Sequence, residues 1–207
     1  MRKKGRVGPL LLFLLTALAL LLPRTAESVE TGAAADVPDA GLLALTFDDG
    51  PRSDTTTVLL DGLGERCVTA TFFLLGEKVE GREEIVRRMA REGYEVGIHG
   101  NGHLDLTRLT PARLRQELGC ARSLLSPLTG QTRFLVRPPY GFYNACVQKY
   151  ACAPLIRWSL DTLDWEDKNV DRIVAYLSEN ARDGDIILMH DVYPESVEAA
   201  LRAVEVL

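Results

Sequence analysis

This chain has little histidine and little cysteine: three of the first and four of the second in 207 residues. The cysteines, Cys67, Cys120, Cys146 and Cys152, lack zinc-knuckle spacing, which excludes a cysteine metal site. Three disulfide pairings are open to four cysteines. Cys146 and Cys152 flank a short predicted helix and are the expected pair, while Cys67 reads as a core residue. Positive charge is also in deficit. The net charge is -5, and residues 1–26 hold five basic side chains and no acid, so the remainder stands at -10. That balance excludes nucleic acid as a partner, since such binding rests on basic contacts to phosphate.

Long apolar runs are missing as well. The longest, Leu10 to Leu22, has 13 residues, short of the roughly 20 that span a bilayer. Arg2, Lys3, Lys4 and Arg6 precede it, and Pro23, Arg24, Thr25, Ala26 and Ser28 follow. This is the pattern of an export signal, with an uncleaved membrane anchor as the alternative. Either way the body of the chain is expected outside the cytoplasmic membrane, extracellular or at the cell surface. The predicted organisation is a signal or anchor over 1–28, a small acidic linker over 29–40 and one domain over 41–207.

The remainder is rich enough to fold. Hydrophobic content is 46%, charged content 26% and mean hydropathy near zero. Short β-forming runs alternate with helical periodicities. Strands are predicted over 41–47, 68–75, 94–98, 134–136, 155–160 and 186–189. Helices are predicted from Asp54 to Leu63, from Glu83 to Arg91, from Thr110-Pro111 onward, over 144–150, over 170–177 and over 196–206. Thr110-Pro111 is a cap followed by proline at the first helical position, and Leu114, Leu118, Ala121 and Leu125 repeat at helical spacing. Such alternation predicts an α/β fold with a largely parallel sheet or barrel. In such folds sites form at the carboxyl ends of strands.

The scarce histidines sit at those ends. Asp48 and Asp49 close the first strand before Gly50-Pro51; His99 and His103 flank the exit of a short strand; His190 ends another. Asp49, His99 and His103 form a two-histidine, one-carboxylate set that leaves coordination positions open. Zinc suits it best, with cobalt, nickel or iron next. Gly100 and Gly102 place the histidine pair on a loop, because glycine disfavours a helix there. Asp48, beside a ligand, is the candidate general base, and His190 the candidate general acid. Asp161 is the candidate partner of His190. Arg137, next to Pro138-Pro139, is placed to hold Asp48 or Asp161. Tyr140 and Trp165 are candidate walls of a sugar-binding cleft, Leu188 a candidate lining for a methyl pocket, and Trp158 a core residue.

The segments Thr46–Pro51, His99–His103, Arg137–Gly141, Asp161–Trp165 and Leu188–Asp191 resemble, in order, the five motifs of the polysaccharide deacetylase family, the NodB-like or carbohydrate esterase family 4 domain. The resemblance covers about residues 41–207 and implies a distorted (β/α) barrel. It implies metal-dependent removal of N-acetyl groups from a glycan, with peptidoglycan or chitooligosaccharide N-acetylglucosamine as the expected substrate. Apart from the resemblance, a monomer is expected. It gives Asp48 as base, Asp49, His99 and His103 as ligands and His190 as acid. Arg137 falls beside the base and Asp161 beside the acid. A backbone N–H near Tyr140 falls at the oxyanion, and Leu188 and Trp165 at the acetyl group. An O-acetyl esterase for xylan and a non-catalytic glycan-binding module are the alternatives on the same fold.

Two departures carry their own expectations. Gly100 and Gly102 stand where the family has hydroxyl residues, and Leu104 where proline is frequent. A looser loop and weaker metal binding are predicted from that. The family continues past the last helix into one more strand, so an open barrel edge is predicted for a chain ending at Leu207.

Overall fold

The computed structural model describes residues 41–207. The expected signal and linker, 1–28 and 29–40, lie outside the described residues. Among the described residues, five strands and six α-helices alternate except where α4 follows α3: β1 Ala44–Asp48, α1 Thr56–Glu65, β2 Thr71–Leu74, α2 Glu83–Arg91, β3 Glu95–Ile98, α3 Pro111–Thr129, α4 Ala145–Ala151, β4 Leu160–Asp161, α5 Val170–Asn180, β5 Ile186–His190 and α6 Pro194–Ala203. No helix among the described residues is long and apolar enough to cross a membrane.

The strands lie in the order β3-β2-β1-β5-β4, and every pair is parallel. Beyond β3 the pairing continues through single bridges, Ile98 with Val136 and Val136 with Leu155. The segment from Leu155 to Asp161 therefore meets Val136 at its start and β5 at its end. Among the described residues the pairings run in a ring, and the predicted open edge is absent. The predicted strands at 134–136 and 155–160 reduce to bridges, because the second segment leaves one neighbour for the other midway. That crossing is the distortion in the barrel.

Alternation along β1 sorts its side chains. Leu45 and Phe47 face outward into the layer beneath the helices, where Phe47 stacks on Phe72 with ring centres 5.4 Å apart. Thr46 and Asp48 face inward and are buried with Arg137. The helices follow their sequence signals. Thr110 Oγ1 accepts from the Arg113 N–H at the start of α3, and Gly130 ends that helix at φ 73°. Leu114, Leu118, Ala121 and Leu125 are all buried, as their spacing predicts.

The cysteines differ from expectation. All four are free, and Cys67 is exposed rather than buried. It sits at φ 55° in the turn after α1. Cys152 is exposed in the left-handed turn that ends α4, and Cys146 is half-buried on that helix.

Phe47 is fully buried at the centre of the outer layer. Phe47→Ala is expected to lower the unfolding free energy by about 3–5 kcal/mol. Val58→Ala, on a side chain 52% exposed, is expected to stay within about 0.5 kcal/mol. Urea denaturation of both variants checks the assignment of core and surface.

Candidate active site

Strand β1 carries the first half of the site. Asp48 is its last residue and points inward. Asp49 follows with φ 75°. This left-handed turn brings its carboxylate back to the same side, which a continued strand would not do. Gly50 makes room behind them: a Cβ there would overlap the Asp191 carboxylate.

Arg137 decides which carboxylate does what. Its guanidinium is fully buried. One terminal nitrogen donates to Asp48 Oδ1 at 2.8 Å and to Thr46 Oγ1 at 2.7 Å, and the other donates to the Arg157 carbonyl at 3.3 Å. The Phe73 ring lies 4.2 Å beneath it. Asp48 is thereby fixed. Burial holds its carboxyl above the ordinary range, and the Arg137 charge and hydrogen bond work against that rise. Asp49 Oδ1 is the opposite case, buried with no hydrogen-bond partner.

That orphan oxygen faces both histidines of the candidate metal site. It lies 3.5 Å from His99 Nε2 and 3.4 Å from His103 Nε2. His99 Nδ1 lies 2.8 Å from the Arg137 carbonyl. A carbonyl only accepts, so Nδ1 carries the proton and Nε2 presents its lone pair. Burial pushes the His99 imidazole down to about 3, which keeps it neutral. Ligand atoms of Asp49, His99 and His103 all lie within 4.8 Å of one another. An unpartnered carboxylate oxygen and two imidazoles fit a divalent cation.

His190 ends β5 beside Asp48 in the parallel ladder. Its partner is Asp164, not Asp161. Asp164 is fully buried; its Oδ1 lies 2.8 Å from His190 Nδ1, and its Oδ2 accepts from the His190 backbone N–H at 2.8 Å. Burial pulls the imidazole down, but the hydrogen bond and charge of Asp164 outweigh it and raise His190 to about 9. Asp161 instead accepts from the Leu163 N–H at 2.9 Å, closing its own turn. Leu163 then takes φ 54°, and the chain swings Asp164 under the histidine. A leucine in the left-handed region gives no warning in sequence, so Asp164 could be suspected only as a second acid in the same motif.

The two halves face one cleft of about 440 Å³. Asp48, Asp49, His99, His103, Asp161, His190, Tyr140, Trp165 and Leu188 line it, joined by Trp158 and Tyr193. Trp158, expected in the core, is half-buried at the cleft wall. Tyr140 has φ 61° and sets its ring edge-on to His103, centres 4.7 Å apart. Trp165 is 48% exposed and Leu188 4% exposed, a platform and a floor. Arg137 lies behind Asp48 rather than in the cleft.

Two acids outside the five expected roles support the loops. Asp191 is fully buried, accepts from Thr56 Oγ1 at 2.5 Å and is pushed up to about 7 by that burial. Thr56 Oγ1 in turn accepts from the Arg52 N–H at 2.8 Å, tying the turn after β1 to the end of β5. Glu117, on α3, is 2% exposed and accepts from the N–H groups of Asn101 and Gly102. Periodicity places Glu117 on the helix but says nothing of its target.

The comparisons with known proteins agree with this geometry. A sequence model described as polysaccharide deacetylase matches residues 35–153. The peptidoglycan-N-acetylmuramic acid deacetylase PdaC of Bacillus subtilis is 39% identical over 163 residues, covering 79% of this chain and 35% of that protein. A chitooligosaccharide deacetylase of Bradyrhizobium is 38% identical over 167 residues, covering 79% of this chain and 76% of that protein. The solved structure of the PdaC deacetylase superposes with a TM-score of 0.78 at 38% identity, covering 81% of this chain and 83% of that one. The chain spans about a third of the length of the peptidoglycan deacetylases it matches in Bacillus subtilis and Listeria monocytogenes. On this matched sequence, this barrel and the site at its strand ends, the chain belongs to the polysaccharide deacetylase family.

Proposed function

We propose that this chain hydrolyses N-acetyl groups on an exported glycan, with N-acetylglucosamine of peptidoglycan or chitooligosaccharides as substrate, releasing acetate and a free amine. One observation carries the reading. Asp48 held by a buried arginine, His190 held by a buried aspartate, and the clustered carboxylate and imidazole atoms of Asp49, His99 and His103 all line one cleft, which supports a base, an acid and a metal site working together.

Asp49, His99 and His103 would hold the divalent cation, zinc first and cobalt or nickel next. When bound, that cation polarises the acetyl carbonyl and acidifies water. Asp48 takes the proton from the attacking water, and Arg137 keeps its carboxylate aimed. The raised value of about 9 keeps the His190 imidazole charged near neutral pH, with Nδ1–H donating to Asp164 and a second proton on Nε2. His190 delivers the Nε2 proton to the leaving nitrogen as the C–N bond breaks, and Asp164 keeps the Nδ1 proton in place. The Tyr140 N–H, on its left-handed turn at the cleft edge, is the proposed donor to the oxyanion. Leu188 and Trp165 enclose the acetyl methyl, and Tyr140 with Trp158 offers flat faces to the sugar. Export by residues 1–28, with the linker 29–40, puts the domain where peptidoglycan is. The similarity to peptidoglycan deacetylases of Bacillus subtilis and Listeria monocytogenes supports that substrate.

Acetate release from chitooligosaccharides, peptidoglycan and acetylxylan tests the proposal. Release from the first two, abolished by chelator and restored by zinc, is expected. Asp48→Asn is expected to lower kcat by about 10²–10⁴-fold in the fraction that circular dichroism shows to be folded, and to lower the melting temperature as well, because it leaves the buried Arg137 charge uncompensated. Release from acetylxylan alone would make the protein an O-acetyl esterase. A folded, zinc-loaded protein that releases nothing from any of the three would contradict an enzymatic role.

The acid has a separate test. Asp164 raises His190, and burial acts the other way. Asp164→Asn removes the charge and leaves the burial, so the alkaline limb of kcat/KM is expected to move to lower pH, toward about 6.5 or below. Asp161→Asn is expected to leave that limb in place. Equal limbs in wild type and Asp164→Asn would remove Asp164 from this role.

A further inference from the structure

With glycine at 100 and 102, the loop from His99 to His103 has no hydroxyl side chain of its own to brace it, which predicts a loose loop. The structure braces it from α3 instead. Glu117 is buried to 2% exposure, and its Oε1 accepts from the Asn101 N–H at 2.9 Å and the Gly102 N–H at 2.5 Å. On the other side of the loop, the Gly76 and Glu77 N–H groups donate to the Gly100 and Asn101 carbonyls at 3.1 and 3.0 Å. The loop backbone is therefore clamped on both flanks.

The glycines permit that clamp. Gly100 has φ 96°, a region that side chains disfavour. A Cβ on Gly102 would meet Glu77 Oε2 at 3.3 Å and Glu117 Oε1 at 3.7 Å, crowding the space the carboxylates use.

The two histidines need different support. His99 is locked by its own Nδ1 on the Arg137 carbonyl. His103 has no side-chain hydrogen bond to a carbonyl or amide among the described residues; its ring meets Asp49 and the edge of Tyr140. Its position therefore comes from its backbone, at φ 53°, directly after Gly102. We infer that Glu117 is a positioning residue for His103: its acceptor oxygen, supplied by a helix, takes the place of a brace within the loop and sets the metal affinity of the site. This rests on the reading of Asp49, His99 and His103 as ligands.

The experiment is zinc affinity by chelator competition on wild type, Glu117→Ala and Glu117→Gln, with no glycan present. Glu117→Ala is expected to bind zinc about 10–100-fold more weakly, the usual loss when a group behind a ligand is removed. Glu117→Gln keeps an acceptor oxygen and is expected to recover much of that loss. Amide hydrogen exchange on the wild type is an independent readout, and it stands even if Glu117→Ala does not fold. The Asn101 and Gly102 amides are expected to exchange far more slowly than amides of open loops. Equal zinc affinity in wild type and Glu117→Ala overturns the role of Glu117 and leaves the ligand set standing. So does a Glu117→Gln variant no better than Glu117→Ala, or fast exchange at both amides. Absence of zinc binding by the wild type overturns the ligand set and this inference together.

Discussion

A buried ion pair between Arg137 and Asp48 organises the end of the barrel where the site lies. Both groups are almost wholly inaccessible, 0% and 3% by side chain, and lie 2.8 Å apart. Burying charge is costly, and removing one partner of such a pair costs about 3–5 kcal/mol because the other is left uncompensated. The pair therefore exists only where β1 delivers Asp48 inward beside the segment after Val136. It places two adjacent carboxylates in different surroundings. Asp48 is held by a guanidinium, and Asp49 Oδ1 is buried with no hydrogen-bond partner, as the proposed cation ligand requires.

The same strand ends supply the rest. β3 delivers His99, whose ring is fixed by the Arg137 carbonyl, so one residue sets both the proposed base and the tautomer of a proposed ligand. β5 runs parallel to β1 with His190 opposite Asp48 in register. The Asp191–Thr56 hydrogen bond ties the end of β5 to the start of α1, and the Arg52 N–H on Thr56 Oγ1 brings in the turn after β1. Parallel pairing in a ring makes all of these termini point the same way, which is why short loops suffice to converge on one cleft.

Much of this was legible in sequence, and the reasons differ by residue. Asp48, Asp49, His99, His103 and His190 were visible because each follows an apolar run, and strand ends in an α/β fold are where polar groups gather. The cap at Thr110-Pro111 and the buried stripe of α3 were visible because capping and periodicity are local. Asp164 was hidden behind Asp161, because the choice between them depends on a left-handed Leu163 that no local signal marks. Trp158 was misplaced because its segment crosses from one neighbour to another instead of lying inside a regular strand. The free cysteines and the ring closure needed long-range pairing, which spacing does not encode. Glu117 acts on a loop 15 and 16 residues away in sequence, and helical periodicity carries no record of that contact.

The measurement that tests the central division of labour most directly is anomalous diffraction at the zinc edge from crystals of the zinc-loaded protein. The account predicts a single peak bonded to Asp49, His99 and His103, with Asp48 still paired to Arg137 and outside the coordination sphere. A cation chelated by Asp48, or one seated away from the two histidines, would contradict it.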